Sequence, residues 1–174
     1  MLKLLQGGYM KSIVVAGGCF WGVDHYFSLV KGITNNKVVY ANSNLAEITY
    51  EQACSGQFNA VEAVYLEYDD AILDLEKIVE LLFRIIDPTS LNRQGGDIGV
   101  QYRTGIYTND LDELVLLENL MTRLQIDHYK DIKVEVANLV NYYDAEDYHQ
   151  LYLVKNPNGY CHVDFSKLKQ EEKK

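Results

Sequence analysis

Residues 16–23 read AGGCFWGV, a cysteine after two glycines and before two large aromatics, where an apolar run gives way to a helical pattern. A thiol in the first turn of a helix meets unpaired backbone N–H groups and the positive end of the helix dipole, and both favour an anion. Cysteines so placed can have pKa values lowered from about 8.5 into the range of about 3.5 to 7.5, which makes them nucleophiles at neutral pH. Cys19 is therefore expected as a nucleophile, the alternative being a small buried hydrophobe. Phe20 fits the apolar stripe of the helix. Trp21, the only tryptophan, lies off that stripe and could wall a pocket for a small apolar group.

Glu62 is the second informative residue, because period-2 alternation over residues 61–68 places it on the face of Val64, Leu66 and Tyr68. Shielded from water there, a carboxyl gains pKa and becomes a proton donor at neutral pH. At a frayed strand start it would instead reach solvent. The glycine-rich stretch NRQGGDIGVQYR, residues 92–103, matches neither a P-loop nor GxGxxG, which excludes nucleotide binding. Asp97 and Tyr102 are site candidates or ordinary turn and strand polars, and Arg103 reads as structural. His149, in EDYHQ, reads as a helix-surface or capping residue.

Three cysteines cannot all pair within one chain, and no CxxC spacing is present, so neither a disulfide framework nor a metal site is expected. Cys161 follows NPNGY on a flexible segment near the C-terminus, from which a thiol can approach a distant one. Cys54, in YEQACSG, reads as structural.

The elements that must position these residues form a simple order. Residues 12–17 and 36–41 read as strands flanking a helix whose apolar face is Phe20, Val23, Phe27 and Val30, ended at Gly32. Residues 61–68 form a third strand. Asp74 opens a helix with a stripe of Leu75, Ile78, Val79, Leu82, Ile85 and Ile86, stopped by Pro88. Strands over 100–108 and 133–140 flank a helix over 111–124, and a short helix runs near 145–155. The order β-α-β-β-α-β followed by α-β-α implies an α+β two-layer sandwich with a ferredoxin-like (split β-α-β) core and a C-terminal extension. The expected organisation is an N-terminal extension (1–11), one catalytic domain (12–165) and a charged, solvated C-terminal tail (166–174).

A net charge of −9 and the lack of a basic stripe argue against nucleic-acid or anionic-membrane binding. No apolar run spans a bilayer and no secretory signal is evident, so a cytoplasmic location is expected; the chain is expected to act as a monomer.

GGCFWG, YEQACSG…VEAV, DPTSLNRQGGDIGVQYR and YHQLYLVKNPNGYCHV, in this order over roughly residues 12–165, resemble the A-type peptide methionine sulfoxide reductases. The resemblance implies a nucleophile at Cys19, a substrate-methyl pocket at Phe20 and Trp21, and a catalytic carboxylate at Glu62. It further implies oxygen-binding tyrosines at Tyr50 and Tyr102, a supporting aspartate at Asp97 and a recycling cysteine at Cys161. The implied substrate is the S-epimer of methionine sulfoxide, free or in oxidised proteins, in oxidative-stress repair. Thioredoxin, or dithiothreitol in its place, would be the external reductant, with no bound cofactor. A thiolate attacking the sulfoxide sulfur needs a proton delivered to the oxygen, which Glu62 would supply, and the resulting Cys19 sulfenic acid would condense with Cys161 to a disulfide. The chain departs from the family's pattern at VYANS (39–43) with a shortened stretch up to Tyr50, at Ala60 and at Asp144. These departures bear on the seating of Tyr50, on rate and on peptide preference. The competing expectations are a non-catalytic redox-sensing or methionine-peptide binding module, and a thiol peroxidase.

Overall fold

A computed structural model describes residues 8–174; residues 1–7 of the expected N-terminal extension lie outside the described residues. The chain runs β1 (Met10–Gly17), α1 (Phe20–Ser28), β2 (Ile33–Ala41), α2 (Tyr50–Cys54), β3 (Val61–Asp69) and α3 (Leu75–Ile85). A two-stranded hairpin of β4 (Arg93–Gln94) and β5 (Asp97–Ile98) precedes β6 (Thr104–Tyr107) and α4 (Leu111–Asp127). Then follow β7 (Glu135–Ala137), β8 (Tyr142–Asp144) and α5 (Tyr152–Lys155).

The main sheet has the order β7-β6-β1-β3-β2-β8, with β6 and β7 parallel and every other pair antiparallel. Its centre, β6-β1-β3-β2, is the expected split β-α-β arrangement, to which β7 and β8 add one strand at each edge. The apolar run of β1 is buried on both sides, as a strand covered on two faces requires. Ile13 and Val15 join Val64, Leu66 and Tyr68 against Phe27 of α1 and Ile78 and Leu82 of α3, while Val14 and Ala16 pack with Val39, Val61 and Tyr107 on the opposite face. Alternation along β3 therefore sends Glu62 to the helix-covered face, the face read from the sequence.

Helix α3 begins where expected: the Asp74 carboxylate accepts from the Lys77 N–H at 2.8 Å, and all six stripe residues are buried. The chain turns extended at Ile86 (φ −119°, ψ 163°), two residues before Pro88.

Four expectations change. Residues 100–102 form a 3-10 turn and only Thr104–Tyr107 is strand, because the Arg103 guanidinium takes the carbonyls of Val100 (3.0 Å) and Asn59 (2.9 Å) and folds the chain back. Residues 133–140 pair only over Glu135–Ala137. Asn141 then exchanges two hydrogen bonds with the backbone of Ser43 (2.9 and 2.8 Å), redirecting the chain into β8 at the other edge. Residues 145–155 are a 3-10 turn (Asp147–His149) and α5, broken at Leu151 in the left-handed region (φ 53°). The Gln150 side chain there bonds both the N–H and the carbonyl of Val38 (3.0 and 2.9 Å) and ties the break to β2.

The fourth change concerns the C-terminal tail, expected as a solvated, fraying end. It docks instead. Leu168 is 2 % exposed, Lys173 bridges to Val30, and Glu172 pairs with Arg84 (2.7 Å) and Lys77 (2.9 Å). Basic side chains on α3 give that acid partners that composition alone does not reveal. Among the described residues, no helix is long and apolar enough to cross a membrane, and no three His, Cys, Asp or Glu residues gather as a metal site would need.

Candidate active site

Cys19, Phe20, Trp21, Tyr50, Glu62, Asp97, Tyr102 and Tyr160 line one cavity of about 110 Å³. That volume suits the tip of a single side chain and is well below the several hundred Å³ typical of a cofactor-sized pocket. A groove of about 560 Å³ between α3 and α4 is larger, but none of the three cysteines lines it.

Each wall traces to a local cause. The Gly17–Gly18 pair ends β1 and turns the chain, Gly18 adopting φ +85°, a conformation natural to glycine, with no room for a Cβ beside Gln94. Cys19 then sits at the N-cap of α1 (φ −52°, ψ 122°), one residue outside the first turn in which it was expected. Glu62, on β3 and 1 % exposed, accepts the Phe20 N–H at 3.2 Å, so a helix N-terminal donor is satisfied by a carboxyl from the sheet. Tyr50 opens α2, held by the reciprocal Thr49–Gln52 capping box and by its own N–H donating to Glu146 (2.8 Å). The altered stretch before Tyr50 therefore still seats it in the cavity. Asp97, at the hairpin, accepts from the Tyr160 hydroxyl at 3.1 Å.

Electrostatics assign protonation states. Burial pushes the Glu62 carboxyl up to about 8, the Phe20 N–H opposing and the Asp97 charge adding to the rise. The group therefore carries a proton at neutral pH. Burial also holds the Tyr50 and Tyr102 phenols well above their ordinary range, so both remain O–H donors. For Cys19 the structure overturns the expected lowering. Burial first, and the Glu62 charge second, push the thiol far up, against a weaker opposing effect from the Trp21 N–H. The thiol is 7 % exposed, and the dipole of a nine-residue helix does not offset that desolvation.

Trp21 and Phe20 form the apolar wall. The indole stacks on Tyr152 (centroids 3.7 Å apart) and donates to His149 Nδ1 at 3.0 Å. His149 is thus no surface residue: it is 1 % exposed, its ring packed against Phe20, Tyr50 and Tyr148. No period in EDYHQLY marks it as inward-facing, and its neighbour Tyr148 is exposed. Arg103, a buried clamp on backbone carbonyls and Glu135, is structural as read.

Cys161 packs on α1 directly over Gly22, a position with no space for a side chain: a Cβ there would stand 2.7 Å from the thiol sulfur and 2.8 Å from Val163. Cys19, Cys54 and Cys161 are all free thiols. We expect Gly22→Ala to destabilise the protein by about 1–3 kcal/mol through overpacking and to displace the Cys161 segment. A lower thermal midpoint together with faster alkylation of Cys161 checks this, and unchanged alkylation would mean that Gly22 does not seat the thiol. Cys54 lies half-buried beside the Tyr50 hydroxyl.

A thiol, a neutral carboxylic acid and two phenols thus converge on one small cavity with an aromatic side. The set can hold a methyl group against the aromatics, hydrogen-bond an oxygen, attack the atom carrying it and protonate that oxygen.

The sequence pattern of the family described as Peptide methionine sulfoxide reductase matches residues 11–174. Peptide methionine sulfoxide reductase MsrA of Mycoplasma genitalium is 51% identical over 156 residues, covering 90% of this chain and 99% of the relative. Among solved structures, reduced Mxr1 of Saccharomyces cerevisiae superposes with a TM-score of 0.83 at 32% identity, covering 93% of this chain and 94% of that one. Mxr1 in complex with Trx2 matches with a TM-score of 0.58 at 22% identity, covering 87% and 89%.

Proposed function

The chain belongs to the peptide methionine sulfoxide reductase family, and from that premise we propose how its residues reduce the S-epimer of methionine sulfoxide, free or in oxidised proteins. The sulfoxide's S-methyl rests against Phe20 and Trp21, and its oxygen accepts from Tyr50, Tyr102 and protonated Glu62. As Glu62 passes its proton to that oxygen, the carboxylate left behind can take the Cys19 proton, so the thiol is activated only with substrate in place. The Cys19 sulfur attacks the sulfoxide sulfur and the protonated oxygen leaves as water; water then attacks the Cys19 sulfur and breaks the new S–S bond, so methionine leaves and Cys19 is left as sulfenic acid. Net, the sulfoxide loses one oxygen and Cys19 gains one. Asp97 supports the site by holding Tyr160 over the cavity.

Cys161 then attacks the sulfenic sulfur, giving a Cys19–Cys161 disulfide and water. Thioredoxin, near −270 mV, can reduce an exposed catalytic disulfide of higher potential by exchange. The Trx2 complex of the yeast relative supports that choice of partner. Repair under oxidative stress, as a cytoplasmic monomer, is the physiological setting this reading carries.

The observation that carries the proposal is the shared cavity of Cys19, neutral Glu62 and the two phenols. Reduced protein incubated with one equivalent of methionine S-sulfoxide, without reductant, tests it. Stoichiometric methionine and a Cys19–Cys161 bond by peptide mass spectrometry are expected; no methionine would overturn the assignment. Cys161→Ser is expected to release one equivalent of methionine and then stall with thioredoxin. Normal thioredoxin-driven cycling would transfer the recycling role to Cys54 or to direct reduction of the sulfenic acid.

A further inference from the structure

We propose that Glu146 is the positioning residue of the pocket, a single carboxylate that seats Tyr50 directly and Trp21 through His149. One oxygen, Oε1, accepts the Tyr50 N–H at 2.8 Å; the other, Oε2, accepts the Tyr40 hydroxyl at 2.7 Å. The same Oε2 lies 3.7 Å from His149 Nε2. His149 Nδ1 accepts the Trp21 indole N–H at 3.0 Å, so in the neutral ring the proton sits on Nε2, the nitrogen that faces the carboxylate. Among the described residues Nε2 finds no hydrogen-bond partner and is fully enclosed, which leaves the Glu146 charge as its compensation. Burial keeps the imidazole neutral, and the bonds from Tyr40 and Tyr50 help hold Glu146 ionised.

The carboxylate joins parts of the fold that lie far apart in sequence. Tyr50 stands on α2, five residues long and too short to persist without anchors, and Trp21 stands on α1. Glu146 comes from the turn after β8, and Tyr40 fixes it to the central sheet. Removing the carboxylate frees the start of α2 and lets the His149 ring turn, so that both the oxygen-binding and the methyl-binding sides of the cavity lose register. An error of about 1 Å in a reacting group costs on the order of 10²-fold in rate.

This inference rests on the reading of Tyr50 and Trp21 as substrate-holding residues, and its test separates the two. Trp21 is the only tryptophan, so emission of the substrate-free protein reports its seat without any turnover. Glu146→Ala is expected to shift that emission to the red, to raise the half-saturating methionine S-sulfoxide concentration and to slow single-turnover methionine release, lowering the ratio of rate to half-saturation about 10–100-fold. In Glu146→Gln the amide oxygen can accept from the Tyr50 N–H while its NH₂ donates to Tyr40. The turnover rate should then recover, whereas the shifted emission and the raised half-saturation persist, because an N–H now faces His149 Nε2–H. Leu120→Ala, which loosens the core under α4 away from the cavity, should lower the thermal midpoint with emission and half-saturation as in the wild type.

Wild-type emission and half-saturation in Glu146→Ala would overturn the proposal, as would equal shifts in Leu120→Ala. Should Glu146→Ala not fold, the Gln variant decides: wild-type emission there overturns the role of His149 as the link. A wild-type protein that reduces no sulfoxide would instead refute the functional reading, with emission still deciding whether Glu146 seats Trp21.

Discussion

Cys19→Ser is expected to release no methionine from methionine S-sulfoxide with any reductant, dithiothreitol included. The oxygen must end on sulfur for the cycle to exist: a serine hydroxyl cannot form a sulfenic acid, so no later thiol has anything to reduce. The loss should be purely chemical. Serine is close to cysteine in size and is itself a favoured N-cap residue, and position 19 is the N-cap of α1. Thermal midpoint and Trp21 emission should therefore match the wild type while methionine release falls to the level of buffer. Measurable turnover with dithiothreitol would remove Cys19 from the nucleophile's role. The raised pKa of the free thiol adds a second expected result. Iodoacetamide, which needs a thiolate, should label Cys19 slowly at pH 7 in the wild type, since burial disfavours ionisation. Activation is then a property of the substrate complex, and bulk oxidants meet a neutral, 7 % exposed thiol.

What is legible in the sequence depends on whether the cause is local. The strand–glycine–cysteine–helix junction, the Asp74 cap and the Glu62 face follow from residues a few positions apart and stand as read, save that Cys19 caps α1 from one residue outside its first turn. The ionisation of Cys19 departs from expectation because the rule for helix starts sees the helix and not the sheet that covers it. The dipole is local, and desolvation is tertiary. For the same reason Arg103 ends the strand that alternation would extend back to residue 100: its guanidinium reaches Asn59 and Val100, contacts that no period encodes. Glu172 is one of several charges in a charged tail until Arg84 and Lys77 stand opposite it. His149 escapes sequence reasoning because one histidine in EDYHQ has no period of its own. Its tertiary partners, Trp21 128 positions away, Phe20 and Tyr50, show that it packs behind the pocket wall.

Glu62→Gln should slow single-turnover methionine release by about 10²- to 10⁴-fold, the usual contribution of a positioned proton donor. The amide oxygen can still accept the Phe20 N–H now bonded to the carboxyl at 3.2 Å, so the start of α1 keeps its anchor and only the transferable proton is lost. The pH dependence supplies the sharper signature. A carboxyl raised from 4.5 to about 8 holds, between those values, a proton in the folded protein that the unfolded chain lacks. Folding stability from this group is therefore fully present below about pH 4.5 and is lost as pH rises through about 8. The donor population follows the same limb: wild-type rate should hold up to about pH 8 and then fall about tenfold per pH unit. The Cys19 thiol, pushed higher still, ionises beyond that limb and does not mask it. In Glu62→Gln the descending limb should vanish, and the thermal midpoint should vary less between about pH 5 and 8. A variant with wild-type rate would assign proton delivery elsewhere, Tyr50, Tyr102 and Tyr160 being the other O–H groups of the cavity. A slow variant that kept the limb near pH 8 would tie that limb to another group and leave Glu62 a purely geometric part. Only the joint loss of rate and limb identifies the carboxyl as the acid, because a packing defect lowers rate without erasing a titration.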